Sequence, residues 1–318
     1  MSFVTEINRR DVLRGMAALS FSPLAISVAR AAEALTVSEV VPGIQVISGG
    51  GGNIVVLPTS AGLVLVDSGN AQAREEVLAK SAKIAKEDKR TSGAGGKVVA
   101  LVNTHWHPDQ TGANEALGMA GATIIAHSKT RQRLTAGWYV PKEDRYEKPL
   151  AAAGRPTKTF FTTEAVSFGD KKLELGYLIE AHTDGDVYVR FAEANVIAAG
   201  DAISPQRDPV LDWFGGGWLG GRVDALKKLL EIGDARTRYV PSFGPVVGRA
   251  EVQAEYDLML AIFERFVVNL RQGQTAADMQ KAGLLDGLPR TFADPATFLY
   301  DAHKGFWAHH NKLMPDIV

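Results

Sequence analysis

Hydrophobic and polar positions along the chain alternate between β-rich runs and helical stretches. From Gly43 to Gly69 the sequence reads GIQVISGGGGNIVVLPTSAGLVLVDSG, short apolar runs separated by glycine turns, which predicts strands. AQAREEVLAKSAKIAKEDKR, residues 71–90, has helical composition and is ended by the polar stretch TSGAGG. KVVALVNT is a continuous apolar strand that delivers the chain directly to His105. TGANEALGMAG predicts a helical segment and ATIIAHS another strand. A β-rich opening therefore passes into alternating strand and helix.

Residues 131–160 break this pattern. Aromatics, charges and prolines mix without a period in AGWYVPKEDRYEKPLAAAGRPTK, and the segment reads as a long loop or lid of the kind that carries function in compact enzymes. Strand pattern resumes in AVSFGDKKLELGYLIEA and DVYVRFAEANVIAAG. Glycine-rich DWFGGGWLGG then leads into a helix, RVDALKKLLEIG. Farther on, Val252, Tyr256, Met259, Leu260, Phe263, Phe266, Val267 and Leu270 recur at helical spacing and Gly273 follows as a stop, so this stripe predicts core packing. The glycines at 49–52 lack the Lys-Ser/Thr ending and following helix of a phosphate-binding loop, and predict a turn between strands.

At 318 residues the chain is long enough to bury a substantial core as one large domain or two small ones. A formal net charge of -1 gives no electrostatic reason to expect a nucleic-acid partner. The absence of cysteine excludes disulfides, thiolate ligands and a cysteine nucleophile. At the N-terminus, Arg9 and Arg10 precede the small-residue run GMAALSFSPLAISVARAA, which ends in Ala29-Arg30-Ala31. A basic region, an apolar stretch and a small-residue end predict an export signal over residues 1–32, with the mature domain and its C-terminal helical segment at 33–318. The arginine pair resembles a twin-arginine signal, from which Asn8 and Val12 depart, so the expected destination is the periplasm or the exterior. Transient engagement of the twin-arginine machinery is the implied partner. With Pro23 and Arg30 inside it, the run is too short for a stable membrane span.

Candidate chemistry concentrates in NTHWHPDQTGAN, residues 103–114. His105, His107 and Asp109 fall at alternate positions, and neutral imidazoles and carboxylates are natural ligands for zinc and similar divalent ions. A strand end can hold His105 and His107 on one side while Trp106 points elsewhere, and Pro108 then turns Asp109 back toward the same place. His182 in AHTDGD and Asp201 in VIAAGDAI each follow an apolar run, at strand ends where side chains from separate strands converge.

Together with LVLVDSG around Asp67, this set resembles the metallo-β-lactamase superfamily in order and spacing over most of the mature chain. HTDGD…ANVIAAGD is most similar to the broad hydrolase branch that includes glyoxalase-II-like enzymes. The resemblance implies an α/β fold, an αββα sandwich with a metal site along one edge of two facing sheets. It implies His105, His107 and His182 as a three-histidine first site, Asp109 as a second-site carboxylate and Asp201 as a carboxylate bridging both. It implies Asp67 as a brace for the metal loop. Two positions depart from the family pattern: Gln110 stands where a fourth motif histidine is usual, and Phe243, in VPSFGPVVG, where the last one is usual.

These departures predict one metal rather than two, held by His105, His107 and His182 with Asp201 as a fourth ligand. Zinc so held lowers the pKa of bound water toward about 7, which supplies hydroxide near neutral pH. Asp109 is then expected to act as general base or orienting group, with Gln110 fixing it or the water through hydrogen bonds and Phe243 making the vacated pocket apolar. Such a site suits hydrolysis of an activated carbonyl in a small molecule: a lactam, lactone, thioester or ester. Two other readings stay open: a degenerate member that binds without turnover, and a mononuclear iron enzyme with redox chemistry. His127 is expected outside the metal shell, and His303, His309 and His310 in solvated or packed roles. Trp138, Tyr139, Trp213 and Trp218 are candidates both for a substrate wall and for plain packing. Ser204 and Ser242 lack the Gly-x-Ser-x-Gly context of a serine hydrolase.

Overall fold

Period-two alternation sends the side chains of each central strand into two different cores. In the run after Gly62, Val64 and Val66 enter one buried cluster while Leu63 and Leu65 enter another. Val196 and Ala198 likewise split from Ile197 and Ala199. A strand buried on both faces has no polar side, which is why these segments read as continuous apolar runs. The computed structural model describes residues 35–140 and 144–311, so the export signal expected over residues 1–32 lies outside the described residues.

The larger sheet has seven strands in the order β1 (Thr36–Val41), β2 (Ile44–Gly50), β3 (Gly52–Thr59), β4 (Gly62–Val66), β5 (Val98–Val102), β6 (Thr123–His127) and β9 (Lys158–Phe160). Its first four strands are antiparallel neighbours, and β4, β5, β6 and β9 run parallel. The second sheet orders β10 (Thr163–Phe168), β11 (Lys171–Tyr177), β12 (Val187–Phe191), β13 (Val196–Gly200) and β14 (Arg238–Pro241), antiparallel except for the parallel β13–β14 pair. Val55, Val64, Val102, Leu173, Val189 and Val240 meet between the sheets. Helices α1 (Arg74–Glu87) and α3 (Asn114–Met119) cover the outer face of the larger sheet through Val77, Ile84 and Leu117. On the outer face of the smaller sheet, Leu226 of α5 (Leu219–Ile232), Met259 and Phe266 of α6 (Arg249–Arg271) and Leu299 of α8 (Pro295–Asn311) pack against Ile197 and Tyr239. The layers are α, β, β, α, as expected, and Val252, Met259 and Phe266 of the predicted stripe are fully buried.

Two segments differ from the sequence reading. Residues 131–160 are not one long loop: they hold the end of α4 (Ser128–Thr135), a hairpin of β7 (Trp138–Val140) with β8 (Arg145–Glu147), and the edge strand β9. Strands of three residues are too short to show a period, so their pattern is invisible in the sequence. Helix α5 starts at Leu219, ahead of the stretch read as helical, and takes Gly220 and Gly221 into its first turn. A side chain at Gly221 would lie 2.2 Å from the Glu180 carbonyl oxygen, so close packing overrides the poor helix propensity of glycine.

Candidate metal centre

Parallel strands place their C-terminal ends on one edge. Asp67 follows β4, His105 follows β5, Asp201 follows β13 and Phe243 follows β14, and the two edges face each other. Backbone bonds stitch the sheets together there: Val187 N–H donates to Thr104 O at 2.8 Å and Asn53 N–H to Ser242 O at 2.6 Å. The Asn53 amide also donates to Pro241 O and Gly244 O, at 2.8 and 2.9 Å. The site therefore sits on a junction that both sheets hold rigid.

Asp67 shapes the first histidine loop. Its backbone is left-handed, at φ 62°, a conformation that aspartate tolerates better than most residues. The buried carboxylate accepts the Thr104 N–H and the Thr104 hydroxyl, each at 2.7 Å. Burial pushes the Asp67 carboxyl well above the usual carboxylate range, and the two Thr104 bonds pull it back. His182 is held by a second carboxylate: Asp186 accepts the N–H of His182 at 2.6 Å, and the N–H and hydroxyl of Thr183 at 2.8 and 2.7 Å. Burial raises Asp186 to about 7.

The hydrogen bonds of the three imidazoles decide which nitrogens are protonated. Asp212 is an acceptor, so His107 Nε2–H donates to its Oδ2 at 2.9 Å. His182 Nδ1–H donates to the Val210 carbonyl at 2.8 Å. Because the Thr104 hydroxyl gives its proton to Asp67, its oxygen accepts from His105 Nδ1–H at 3.1 Å. In the neutral rings the proton is thus spent on the outer side, and His105 Nε2, His107 Nδ1 and His182 Nε2 turn lone pairs toward one another. These three residues form the metal-competent cluster, with one ligand atom of each within 4.8 Å of the others. His107 Nδ1 and His182 Nε2 are 3.0 Å apart, and His105 Nε2 is buried without a partner. A cation among them satisfies all three.

Asp201 Oδ2 lies 3.6 Å from His105 Nε2 and 3.7 Å from His182 Nε2. Ligand atoms of a tetrahedral zinc site are about 3.3 Å apart, so the donor set fits a zinc-type ion with Asp201 adjacent. Burial holds His105 well below the ordinary histidine range and His182 at about 4, so both are neutral ligands at neutral pH. Burial also pulls His107 down, but the bond and charge of Asp212 more than offset it, and His107 is raised.

The neighbouring pocket is built differently. Asp109 Oδ1 is buried without a partner, and burial raises its carboxyl against the charge of nearby His107. Gln110 is fully buried, but its amide makes no bond to Asp109; both amide atoms lack partners and lie over Gly52. A side chain at Gly52 would come within 2.4 Å of that amide, so any larger residue there would displace the Gln110 side chain. The expectation of an apolar pocket at Phe243 needs correction. The Arg207 guanidinium lies 3.5 Å over the Phe243 ring and forms an ion pair with Asp201 Oδ1. Asp201 is buried, and the chain answers its charge with a cation rather than with hydrocarbon.

Other aromatics divide. Trp106 is buried, and its ring meets Trp138 at 4.3 Å, with Arg133 above it. Tyr139 lies 6.3 Å from exposed Phe214, which neighbours Trp213, so these rings form a rim beside Asp212. Trp218 is elsewhere, stacked on His309 of α8 at 4.0 Å. His309 also bonds Glu180, and His127 stacks on Tyr177 and bonds Phe161 O, both apart from the three-histidine cluster. Sequence reasoning missed Arg207, Asp186 and Asp212. Asp186 and Asp212 lie in stretches singled out for other residues, whereas nothing in SPQRDPV marks Arg207.

A sandwich of this order, with histidine donors gathered on one edge of the facing sheets, defines a class of metal-dependent hydrolases. A family model of the metallo-beta-lactamase superfamily matches residues 47–253, and the chain belongs to that superfamily as a metallohydrolase with a His105–His107–His182 metal site. Among curated proteins it is 29% identical over 212 residues to a metallo-beta-lactamase type 2 of Bacillus cereus, covering 65% of this chain and 72% of that one. Among solved structures it is similar to a metallo-beta-lactamase from Pontibacter korlensis, with TM-score 0.56, 20% identity, and 71% and 99% of the two chains covered. A stereoselective inverting sec-alkylsulfatase from Pseudomonas sp. matches with TM-score 0.62 and 14% identity, over 88% of this chain and 50% of that one. At these identities the structural likeness concerns the fold.

Proposed function

We propose that the protein is an exported hydrolase with one zinc ion, acting on an activated carbonyl of a small molecule: a lactam, lactone, thioester or ester. The observation that carries the reading is the hydrogen bonding of the three imidazoles, whose outer nitrogens donate in the neutral rings and whose inner lone pairs converge. His105, His107 and His182 would hold the ion, with Asp201 beside them. When bound, zinc supplies a water acidified into the neutral range and a Lewis acid for the carbonyl oxygen.

The chain's own residues supply the rest. Asp109 presents a buried oxygen without a partner next to the cluster, placed to take a proton from the attacking water and pass it to the leaving group. Gln110 closes the floor of the pocket against Gly52 rather than orienting Asp109 by a hydrogen bond. The rim of Tyr139, Trp213 and Phe214 offers apolar surface to a substrate body. The relatives named as metallo-beta-lactamases support a carbonyl substrate and leave its class among these four open. Residues 8–32 support twin-arginine export to the periplasm or the exterior, and among the described residues no helix is long and apolar enough to cross a membrane.

Elemental analysis of the purified protein, followed by hydrolysis assays on lactam, lactone, thioester and ester panels, tests the reading. One zinc per chain with turnover on one panel is the expected result. Stoichiometric zinc with no turnover on any panel would leave a binding protein, and iron with oxygen consumption would replace hydrolysis by redox chemistry. Cell fractionation of the full chain, with and without Arg9→Lys/Arg10→Lys, tests export.

A further inference from the structure

We propose that Arg207 is a built-in second cation of this site: its guanidinium, ion-paired to Asp201 and laid on Phe243, takes the place a second metal would fill and limits the centre to one ion. The inference rests on the one-metal reading above and gives it a physical cause.

Four observations converge. Asp201 is buried, and a buried carboxylate needs a compensating positive charge. Arg207 supplies that charge through its ion pair with Asp201 Oδ1. The two positions that depart from the family pattern then read as one device. Phe243 gives the guanidinium an aromatic face at 3.5 Å, where a second positive or metal-bound group would be repelled by it. Gln110 presents only a neutral amide, packed on Gly52, in place of an imidazole. Arg207 is also held in place. Arg290 donates to Ser204 O and Pro205 O at 2.7 and 2.6 Å, and Arg222 donates to Asp201 O at 2.8 Å while paired with Glu255. The segment that carries the guanidinium is therefore pinned from the C-terminal helical layer. Half of the Asp201 carboxylate is thereby committed to Arg207, and the other oxygen is left for the histidine cluster.

The test measures metals per chain in the full-length protein after equilibration with zinc and removal of loose ions. The affinity for the first ion is read by competition with a chromophoric chelator, and thermal melts confirm that each variant is folded. Wild type is expected to hold one zinc. Phe243→His alone still holds one, because the guanidinium keeps its place. Arg207→Ala/Phe243→His holds two. Arg207→Gln, which retains hydrogen-bonding capacity without charge, binds the first ion at least about tenfold more tightly, since a fixed positive charge beside a dication is removed. Arg207→Lys keeps the wild-type stoichiometry. One ion in wild type with the same stoichiometry and affinity in every Arg207 variant overturns the inference and leaves the one-metal reading standing. None or two in wild type overturns that reading, and the inference with it.

Discussion

The two halves of the site solve opposite problems. Around His105, His107 and His182 every outer nitrogen has a protein partner and every inner one faces the cluster, so the half is organised for an ion that the chain does not itself provide. On the other side Asp201 is paired internally with Arg207, whose guanidinium lies over Phe243, so the chain itself supplies a cation there. A metal site is thus defined as much by where the protein withholds its own cation as by the ligands it displays. The same αββα edge carries both solutions a few ångströms apart.

The sharpest way to break this comparison is to remove a ligand from the first half. His182→Ala should abolish stoichiometric metal binding altogether, as read by elemental analysis, because two imidazoles and a carboxylate shared with an arginine no longer enclose the ion. Next in size is Asp109→Asn. If this carboxylate serves the proton and not the metal, kcat falls by about 10²–10⁴-fold while zinc content stays at the wild-type value. A loss of zinc in that variant would move Asp109 into the metal-binding half.

Asp212→Asn sharpens the role of the outer partners. His107 keeps a neighbour of the same shape but loses the charge that favours its Nε2–H tautomer, and metal affinity is expected to drop by about 10- to 100-fold. Chelator competition measures it directly, and an unchanged affinity would mean that the His107 ring is oriented by packing alone. The smallest effect belongs to the second half. Phe243→Leu removes the aromatic face beneath Arg207 but keeps an apolar side chain, and should cost about 1 kcal/mol in denaturant melts with the ion pair to Asp201 intact.

Much of the fold was legible because hydrophobic periodicity is a local property. The runs around Val55, Val64, Val102, Val189 and Ala198 read as strands and are strands, and the stripe from Val252 to Leu270 reads as a helix and is one. The segment 131–160 misled because strands of three residues leave no period to detect. Within the site, His105, His107 and His182 were recognisable from residue type and position, and their gathering in one cluster follows from strand ends that share an edge. Gln110 and Phe243 were visible as departures, but the sequence suggested an apolar void where the structure holds a guanidinium.

What the sequence by itself determined is which runs form strands and helices and which residue types stand at the strand ends, with the two-sheet sandwich implied by the family those residues resemble. Only the tertiary structure decided which nitrogen of each histidine faces inward, because that depends on Asp212, Val210 and Thr104, two of them brought from segments distant in the chain. It also decided that Arg207 pairs with Asp201 and lies over Phe243. Burial pattern repeats along a strand and can be read one residue at a time, whereas the course of an irregular loop is set by its partners, here Arg222, Glu255 and Arg290 from the far layer of the fold.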